Sequence, residues 1–314
     1  MSGIQNVEDK PGQHAIFMVW GIKDYSKAKE VVTQICGELD ALVRSRLNRF
    51  PDSELGAVLG FGAKCWLQLF PGRPIPPELV EFKEIKGDKH LAPSTPGDLF
   101  FHLRSTRLDV IEDLAAVISL ELSEVAESID ETKGFRFFDS RALLGFVDGT
   151  ENPEPPDAPS FARIAEDNVG EDFFDGSYAF VQKYLHDLKA WEKLPVEEQE
   201  KVIGRRKFDD RELADDVKPE NAHNVVTNIK DNNGEELKIV RANMPFANPS
   251  KSEFGTYFIG YSGKFSTTRR MLENMFLGDP LGNTDRLLEY SKAVTGTLFF
   301  VPSAELLGDL AQEE

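Results

Sequence analysis

The sequence predicts an α+β fold built from two ferredoxin-like halves that pack through their sheets. Segments with strand-like and helix-like apolar periodicity alternate along the 314 residues, and the second part of the chain repeats the alternation of the first. The connections between these segments vary in length, which favours such an α+β arrangement over a regular, doubly wound parallel sheet. We expect the halves to span residues 1–145 and 146–314, with the functional site in the second.

The first half begins with an apolar strand at 15–22 and a strong amphipathic helix at 26–46. Its apolar positions recur at helical spacing and predict one buried stripe, made of Val32, Ile35, Leu39, Leu42 and Val43. The rest of this half is predicted as a strand at 55–62 that continues into CWLQLF, a strand at 98–105, a helix at 107–122 and a final strand.

The second half shows the same alternation. Its predicted elements are a strand at 177–185, helices near 186–204, a strand at 254–262, a helix near 266–277 and a terminal strand in GTLFFVPS. The repeated order indicates a duplication.

Charge and composition exclude several classes of partner. The chain carries 54 acidic and 36 basic residues, a net charge of -18, which disfavours binding to nucleic acid or to an anionic membrane surface. The densest cationic group, 205–207, is followed at once by acidic residues. The N-terminus is polar and no long apolar run occurs, so we expect a cytoplasmic protein without a membrane segment. Cys36 and Cys65 are too few for a disulfide framework and are expected to be buried thiols.

The segment GFVDGTENPEPPDAPS, at 145–160, has the composition of a linker. However, the apolar stretch LLGFV leads directly into Asp148, Gly149 and Thr150. We therefore expect Asp148 at the mouth of the protein interior. A simple Asp-Gly turn between two strands is the alternative.

Among the five histidines, His223 is the candidate for chemistry. The others are expected to be strand-end, loop or helix-start residues: His14, His90, His102 and His186. His223 lies in PENAHNVVTNI, ahead of an apolar pair. Without paired histidines or cysteines zinc is disfavoured, whereas a haem iron needs only one axial histidine from the protein. An ordinary polar histidine is the alternative.

The segment EELKIVRANMPFANPS, at 235–250, contains Arg241, a candidate cation for the functional site. In a strand, Arg241 and Asn243 would lie on the same face as Ile239. If that face is buried, the guanidinium points toward the interior. The opposite phase, with Val240 and Ala242 inward, would leave Arg241 as a solvated surface charge. The pattern alone leaves both phases open.

The motif GFVDGTENP resembles the G-x-x-D-G-T signature of dye-decolourising peroxidases. The later motifs AHNVVTN, KIVRANMPF and VTGTLFFVPS follow in the order of the class B branch, so four motifs between residues 145 and 302 carry the resemblance. It implies a dimeric α+β barrel type of fold around a haem pocket, with haem b (iron protoporphyrin IX) as the cofactor and hydrogen peroxide as a substrate.

The resemblance also implies roles for individual residues. Asp148 corresponds to the distal acid, and Gly149 and Thr150 beside it are expected to contact the cofactor. Arg241 and Asn243 correspond to the distal arginine and asparagine. His223 corresponds to the axial iron ligand. Peroxide must lose a proton from one oxygen and gain one on the other, which a carboxylate can do as base and then acid. A fixed guanidinium would stabilise the negative charge that develops on the breaking bond.

Further positions are implied around the cofactor, each with a structural alternative. Asp285 is the candidate carboxylate for the second nitrogen of His223, or else an exposed helix-start residue. Arg206, or its neighbour Arg205, is the candidate for a haem propionate, or else part of a solvated basic turn. Phe258 is expected over the distal face, or else in the core.

The resemblance favours an enzyme that uses hydrogen peroxide to oxidise dyes, phenolic compounds or porphyrinogens by one-electron steps through compound I. The alternatives are a deferrochelatase-like protein that binds haem and releases its iron, and an interaction module without a cofactor. The presence of both distal groups favours the enzyme, and the resemblance implies a homo-oligomer. Electrons could enter at the haem edge or through an aromatic side chain, for which the sequence offers Tyr178, Tyr184, Trp191, Tyr257, Tyr261 and Tyr290 without ranking them.

Overall fold

The computed structural model describes residues 4–165 and 171–313, and within them ten strands form one continuous sheet. The strands are β1 (His14–Ile22), β2 (Gly56–Phe61), β3 (Ile85–Lys86), β4 (Leu91–Ala92), β5 (Leu99–Ser105), β6 (Ala126–Phe135), β7 (Ser177–His186), β8 (Ile229–Lys230), β9 (Glu236–Leu237), β10 (Val240–Arg241), β11 (Met244–Asn248), β12 (Glu253–Ser262), β13 (Ser291–Ala293) and β14 (Thr297–Val301). Two short hairpins, β3–β4 and β8–β9, lie outside the large sheet.

The helices connect these strands and cover the sheet. They are α1 (Tyr25–Arg49), α2 (Ala63–Leu69), α3 (Leu108–Leu122), α4 (Ala158–Ala162), α5 (Leu188–Trp191), α6 (Val196–Ile203), α7 (His223–Val226), α8 (Phe265–Phe276) and α9 (Ala304–Leu310). None of the helices in the described part of the chain is long and apolar enough to cross a membrane.

Each half has the strand order of a ferredoxin-like unit. The first half is ordered β6-β1-β5-β2, and the second is ordered β10-β12-β7-β14, with β11 also paired to β12. The halves join where β14 pairs with β2 through Phe300 and Phe61. At the other end β6 approaches β11, since a Cβ on Gly134 would lie 2.4 Å from the Cβ of Met244. The α+β prediction with two ferredoxin-like halves is confirmed, while the boundary near residue 145 stays a prediction.

Helix α1 shows how the sequence positions these layers. Asp24 caps its N-terminus by accepting a hydrogen bond from the Ser26 amide at 3.0 Å, and Arg46 and Arg49 lie in its last turn, where cations are favourable. The predicted stripe is buried with one exception, because Leu42 is only partly covered. Burying this stripe against the sheet and α3 holds the first half together.

The sheet is buried on both faces, which matters for the site. One face packs against the helices, as Phe101 and Phe180 do. The other face encloses a separate apolar cluster that joins the two halves, in which Phe100 stacks on Phe299 with ring centroids 5.1 Å apart. Strands buried on both faces read as continuous apolar runs rather than as a clean alternation.

One prediction of local structure is wrong, and one predicted strand was given no bounds. CWLQLF is not a strand but helix α2, so that Cys65 lies in a helix; both Cys65 and Cys36 are buried, as expected. Gly62 follows the last residue of β2. A glycine is required there, because a Cβ would lie only 2.2 Å from the Gly97 carbonyl oxygen. The last strand of the first half, β6, could not be located from the sequence, because it is mostly polar and half-exposed.

Candidate active site

A cavity of about 330 Å³ opens on the helix-covered face of the second half's sheet. Its lining residues all lie between Ala142 and Ser291. All of these residues except Ala142 and Leu144 fall in the predicted second half, and the space between the two halves is filled by the apolar cluster instead. Its volume lies at the lower end of the range of about 300–1,000 Å³ that is typical of ligand pockets.

Asp148 lies on this cavity, at the end of the apolar approach from Leu144 to Val147. Its backbone amide donates to the Ser140 carbonyl at 2.9 Å. Gly149 follows with a φ of +89°, a conformation that glycine adopts without strain, and its carbonyl accepts from the Asn152 amide at 2.9 Å. The turn runs from Gly149 to Asn152 and leads toward helix α4, so Asp148 lies at the cavity and not in an Asp-Gly turn between two strands.

Arg241 lines the same cavity from β10. Its neighbours Val240 and Ala242 point into the apolar cluster between the halves, yet Arg241 is not a solvated surface charge. Both phases of this strand are buried, one in the cluster and one in the cavity. Among the residues that the structure describes, the guanidinium has no hydrogen bond or ion pair.

Asn152 and Asn243 fix the positions of Asp148 and Arg241 relative to each other. The Asn152 side chain accepts from the Arg241 amide at 2.7 Å and donates to the Arg241 carbonyl at 2.9 Å. The Asn243 amide nitrogen lies 3.3 Å from Asp148 Oδ1, and its oxygen accepts from the Ile259 amide at 3.1 Å. The loop that carries Asp148 is therefore fastened to the sheet edge that carries Arg241. Sequence analysis missed Asn152, whose position four residues after Asp148 was the available signal.

His223 and Asp285 form a hydrogen-bonded pair in the wall of the cavity. His223 is the first residue of α7, and its Nδ1 lies 2.6 Å from Asp285 Oδ2. The Asp285 side chain is fully buried and its Oδ1 accepts from the Leu287 amide at 2.8 Å, so both oxygens act as acceptors. Nδ1 of His223 is therefore the donor, and Nε2 is the nitrogen available to a ligand. Asp285 caps a helical turn and orients the histidine, but it is buried, so the alternative of an exposed helix-start residue is wrong.

The two candidate arginines at the mouth differ in position. Arg205 lines the cavity with 12% of its side chain exposed, pairs with Glu151 and donates to the Asp210 carbonyl at 2.8 Å. Arg206 is exposed and lies outside the cavity lining, which corrects the preference for Arg206. Thr150 also lines the cavity, and its hydroxyl donates to Asp210.

The walls of the cavity are largely apolar. Phe258 is half-buried on β12 and faces the cavity, while its neighbours on the strand point into the cluster between the halves. The other apolar side chains are Ala142, Leu144, Phe146, Val147, Ile203, Leu237, Ile239, Met271, Leu272, Met275, Leu287 and Leu288.

His186 is a further cavity residue that sequence analysis did not single out. It ends β7, and its Nδ1 and Nε2 lie 2.7 Å from the Ser291 hydroxyl and 2.9 Å from the Thr256 hydroxyl. Burial lowers the pKa of His186 to about 4. The histidine is therefore neutral at physiological pH.

Comparison with known proteins agrees with this geometry. The family described as "Dyp-type peroxidase, N-terminal" matches residues 8–136, and "Dyp-type peroxidase, C-terminal" matches residues 139–306. A dye-decolorizing peroxidase of Rhodococcus erythropolis is 48% identical over 295 residues, which are 94% of this chain and 85% of the relative. The crystal structure of a dye-decolorizing peroxidase from Bacteroides thetaiotaomicron is 55% identical, with a TM-score of 0.94 and coverage of 98% of both chains.

The chain belongs to the Dyp-type peroxidase family. It is a peroxidase and hence an oxidoreductase, so the resemblance to the dye-decolourising peroxidase family is confirmed. A DypB variant from Rhodococcus jostii, solved in complex with heme, is also similar to this Dyp-type peroxidase, with 43% identity, a TM-score of 0.93 and coverage of 97% of this chain and 98% of that one. Deferrochelatases of Yersinia match only distantly, at 25% identity over 50% of this chain and 40% of the relative.

Proposed function

We propose that this Dyp-type peroxidase binds haem b in the cavity of its second half, with His223 Nε2 as the axial ligand and with Asp148, Asn243 and Arg241 facing the bound peroxide. The observation that carries this proposal is the His223–Asp285 pair, which turns one imidazole nitrogen toward a cavity that also holds Asp148 and Arg241. The relative that was solved in complex with heme supports it.

The residues of the cavity fit a haem group chemically. Its walls are apolar and aromatic, as a porphyrin face requires, and an axial histidine whose other nitrogen donates to a carboxylate is the usual arrangement at a metal. Arg205 and Lys238 line the cavity and are the cations that would meet the haem propionates. Haem, when bound, supplies the iron that coordinates peroxide and exchanges electrons one at a time.

Asp148 moves the proton between the two oxygens of peroxide. Its Oδ1 accepts from Asn243, so Oδ2 is the oxygen that takes the proton from the inner peroxide oxygen and delivers it to the outer one. Asn243 keeps the carboxylate aimed because its own oxygen is fixed by the Ile259 amide. The departing oxygen leaves as water.

Arg241 stabilises the negative charge that develops as the O–O bond breaks. Its guanidinium has no ion-pair partner within residues 4–165 and 171–313, so its field is not cancelled by a neighbouring carboxylate. A fixed cation in a partly buried cavity acts with less screening than one in water. Asn152 binds both the amide and the carbonyl of Arg241, which fixes the backbone that carries this charge.

The reducing substrates proposed are dyes, phenolic compounds or porphyrinogens, which give up electrons one at a time. Assignment to class B rests on the order and spacing of the four motifs. A cytoplasmic location is proposed because both cysteines are free thiols, as is usual in a reducing compartment. A homo-oligomeric state is proposed from the resemblance. Light scattering of the purified protein measures the oligomeric state directly.

The test is the absorption spectrum of the purified, haem-loaded protein before and after one equivalent of hydrogen peroxide. We expect a Soret band that changes on mixing and recovers when a phenolic reductant is added. His223→Ala should lose or grossly shift the band, whereas His14→Ala, at the start of β1 and outside the cavity, should leave it unchanged. An unchanged spectrum in His223→Ala would remove His223 from the axial position.

A further inference from the structure

A tyrosine and a histidine form an isolated polar pair inside the apolar cluster that joins the two halves. His102 Nδ1, on β5 of the first half, lies 2.9 Å from the hydroxyl of Tyr261, on β12 of the second half. Both side chains have 0% exposure. Polar groups are retained in such a core only at a cost, so a pair of this kind calls for an explanation.

The surroundings of this pair are dry and aromatic. Phe17 stacks on His102 with ring centroids 4.7 Å apart and on Tyr257 at 4.0 Å. Within the described part of the chain, His102 Nε2 has no hydrogen-bond partner. The nearby charge is Arg104, which is itself paired with Asp9 at 3.1 Å.

One layer of sheet separates the pair from the cavity. Tyr261 and Phe258 lie on the same strand, with Tyr261 in the cluster between the halves and Phe258 in the cavity wall. The residue before Tyr261, Gly260, pairs with Arg241 across the strands β12 and β10. Tyr261 is therefore joined through the sheet backbone to the residues that would face peroxide.

We propose that Tyr261 is an internal one-electron donor to the peroxide-oxidised haem and that His102 is the base that holds its phenol proton. The proposal rests on the proposed function, which supplies the oxidant. Tyr261 loses one electron to the oxidised centre; its O–H bond breaks and an N–H bond forms on His102 Nδ1, which leaves a neutral tyrosyl radical and an imidazolium. When a reductant returns an electron to Tyr261, the proton moves back.

The electrostatics of the core suit this reversible transfer. Burial lowers the pKa of His102 well below its ordinary value and raises the pKa of Tyr261, so both groups are neutral at rest. In the proposed tautomer Nε2 carries the imidazole proton and Nδ1 accepts from the Tyr261 hydroxyl. An oxidised phenol is a far stronger acid than a neutral one, so even this weak base accepts the proton. Arg104 raises the free energy of the imidazolium and so favours return of the proton once Tyr261 is reduced.

Tyr257 provides the internal comparison. It lies on the same strand and in the same cluster and is fully buried, but in the described part of the chain its hydroxyl has no histidine partner. Oxidation of Tyr257 would leave its proton without a hydrogen-bonded base, because the nearby carboxylate of Asp130 is already paired with Lys183 at 3.0 Å. The histidine therefore selects Tyr261.

The first test is electron paramagnetic resonance of the haem-loaded protein, frozen after mixing with one equivalent of hydrogen peroxide without a reductant. Ring-deuterated tyrosine identifies the radical as a tyrosyl by narrowing its signal. We expect the signal in the wild type and in Tyr257→Phe, and its loss in Tyr261→Phe. His102→Gln, which keeps Tyr261 but removes the base, should lose it as well.

The outcomes separate this proposal from the proposed function. A Soret band that responds to peroxide, with no tyrosyl signal in the wild type, overturns the internal donor alone, as does a signal that persists in Tyr261→Phe or disappears only in Tyr257→Phe. A protein that binds no haem overturns both proposals.

A second readout does not depend on haem. In ¹⁵N-histidine-labelled protein at neutral pH, NMR should show a neutral His102 that carries its proton on Nε2 and accepts at Nδ1. Protonation at Nδ1, or an imidazolium at rest, would overturn the role of His102 as the proton acceptor.

Discussion

Asp285 Oδ2 lies 2.6 Å from His223 Nδ1, while Asp285 Oδ1 accepts from the Leu287 amide. A carboxylate with 0% exposure thus orients the imidazole from behind. The strength of this hydrogen bond sets how electron-rich the opposite nitrogen is.

Asp285→Asn should weaken the axial bond without removing the histidine. The neutral amide is a poorer acceptor, so we expect a lower Fe–His stretching frequency in resonance Raman spectra and a loss of about 10- to 100-fold in haem affinity or activity. Asp24→Asn, which changes a capping carboxylate far from the cavity, is the matched control. An unchanged stretching frequency would mean that Asp285 does not tune the ligand.

Asp148→Asn and Arg241→Leu should each slow the reaction with peroxide. Loss of the proton-transferring carboxylate costs about 10²- to 10⁴-fold, and loss of a charge-stabilising donor about 10²- to 10³-fold. Stopped-flow absorption at the Soret band measures both rates. A mutant that reacts at the wild-type rate would show that its residue is not essential, and that the other carries the larger share.

Arg205→Ala and Arg206→Ala form a matched pair, because the two adjacent arginines differ in position. Arg205 lines the cavity, whereas Arg206 is exposed. A hydrogen bond to a charged group contributes about 1.5–3 kcal/mol, so Arg205→Ala should weaken haem binding by about that amount and Arg206→Ala should not. Haem transfer to an apo-globin acceptor measures the difference, and equal losses would contradict the assignment.

His186 should make the protein less stable in mild acid. Its folded pKa is about 4, below the ordinary value of 6.5, so as the pH falls below 6.5 the unfolded chain binds a proton that the folded protein excludes. Stability conferred by the neutral histidine is present above pH 6.5 and lost as the pH falls toward 4, by on the order of 3 kcal/mol.

Urea unfolding of the wild type and of His186→Gln, at neutral pH and at about pH 5, checks this expectation. Other carboxylates titrate in both proteins, so the difference between the two pH dependences isolates the histidine. Parallel curves for the two proteins would show that His186 does not titrate in this window.

The limits of sequence analysis are clearest at Arg241. The alternation of 235–250 predicts two faces but cannot say which is buried, because this sheet is buried on both. The prediction of CWLQLF as a strand was wrong for a related reason, since a short apolar run fits a buried strand or a buried helix equally well. Arg205 and Arg206 are equivalent in sequence, and only the backbone of their turn aims one of them into the cavity.

The chain by itself determined the α+β class, the repeated halves and the family, because periodicity and ordered motifs are local signals that survive without coordinates. Only the tertiary structure decided which side chains contact each other at the site and in the core. Asp285 meets His223 across 62 residues of chain, Asn243 meets Asp148 across 95, and Tyr261 meets His102 across 159. Such contacts follow from how the two halves of the continuous sheet close on each other and from which side chains the closed core can bury, and no local pattern encodes either.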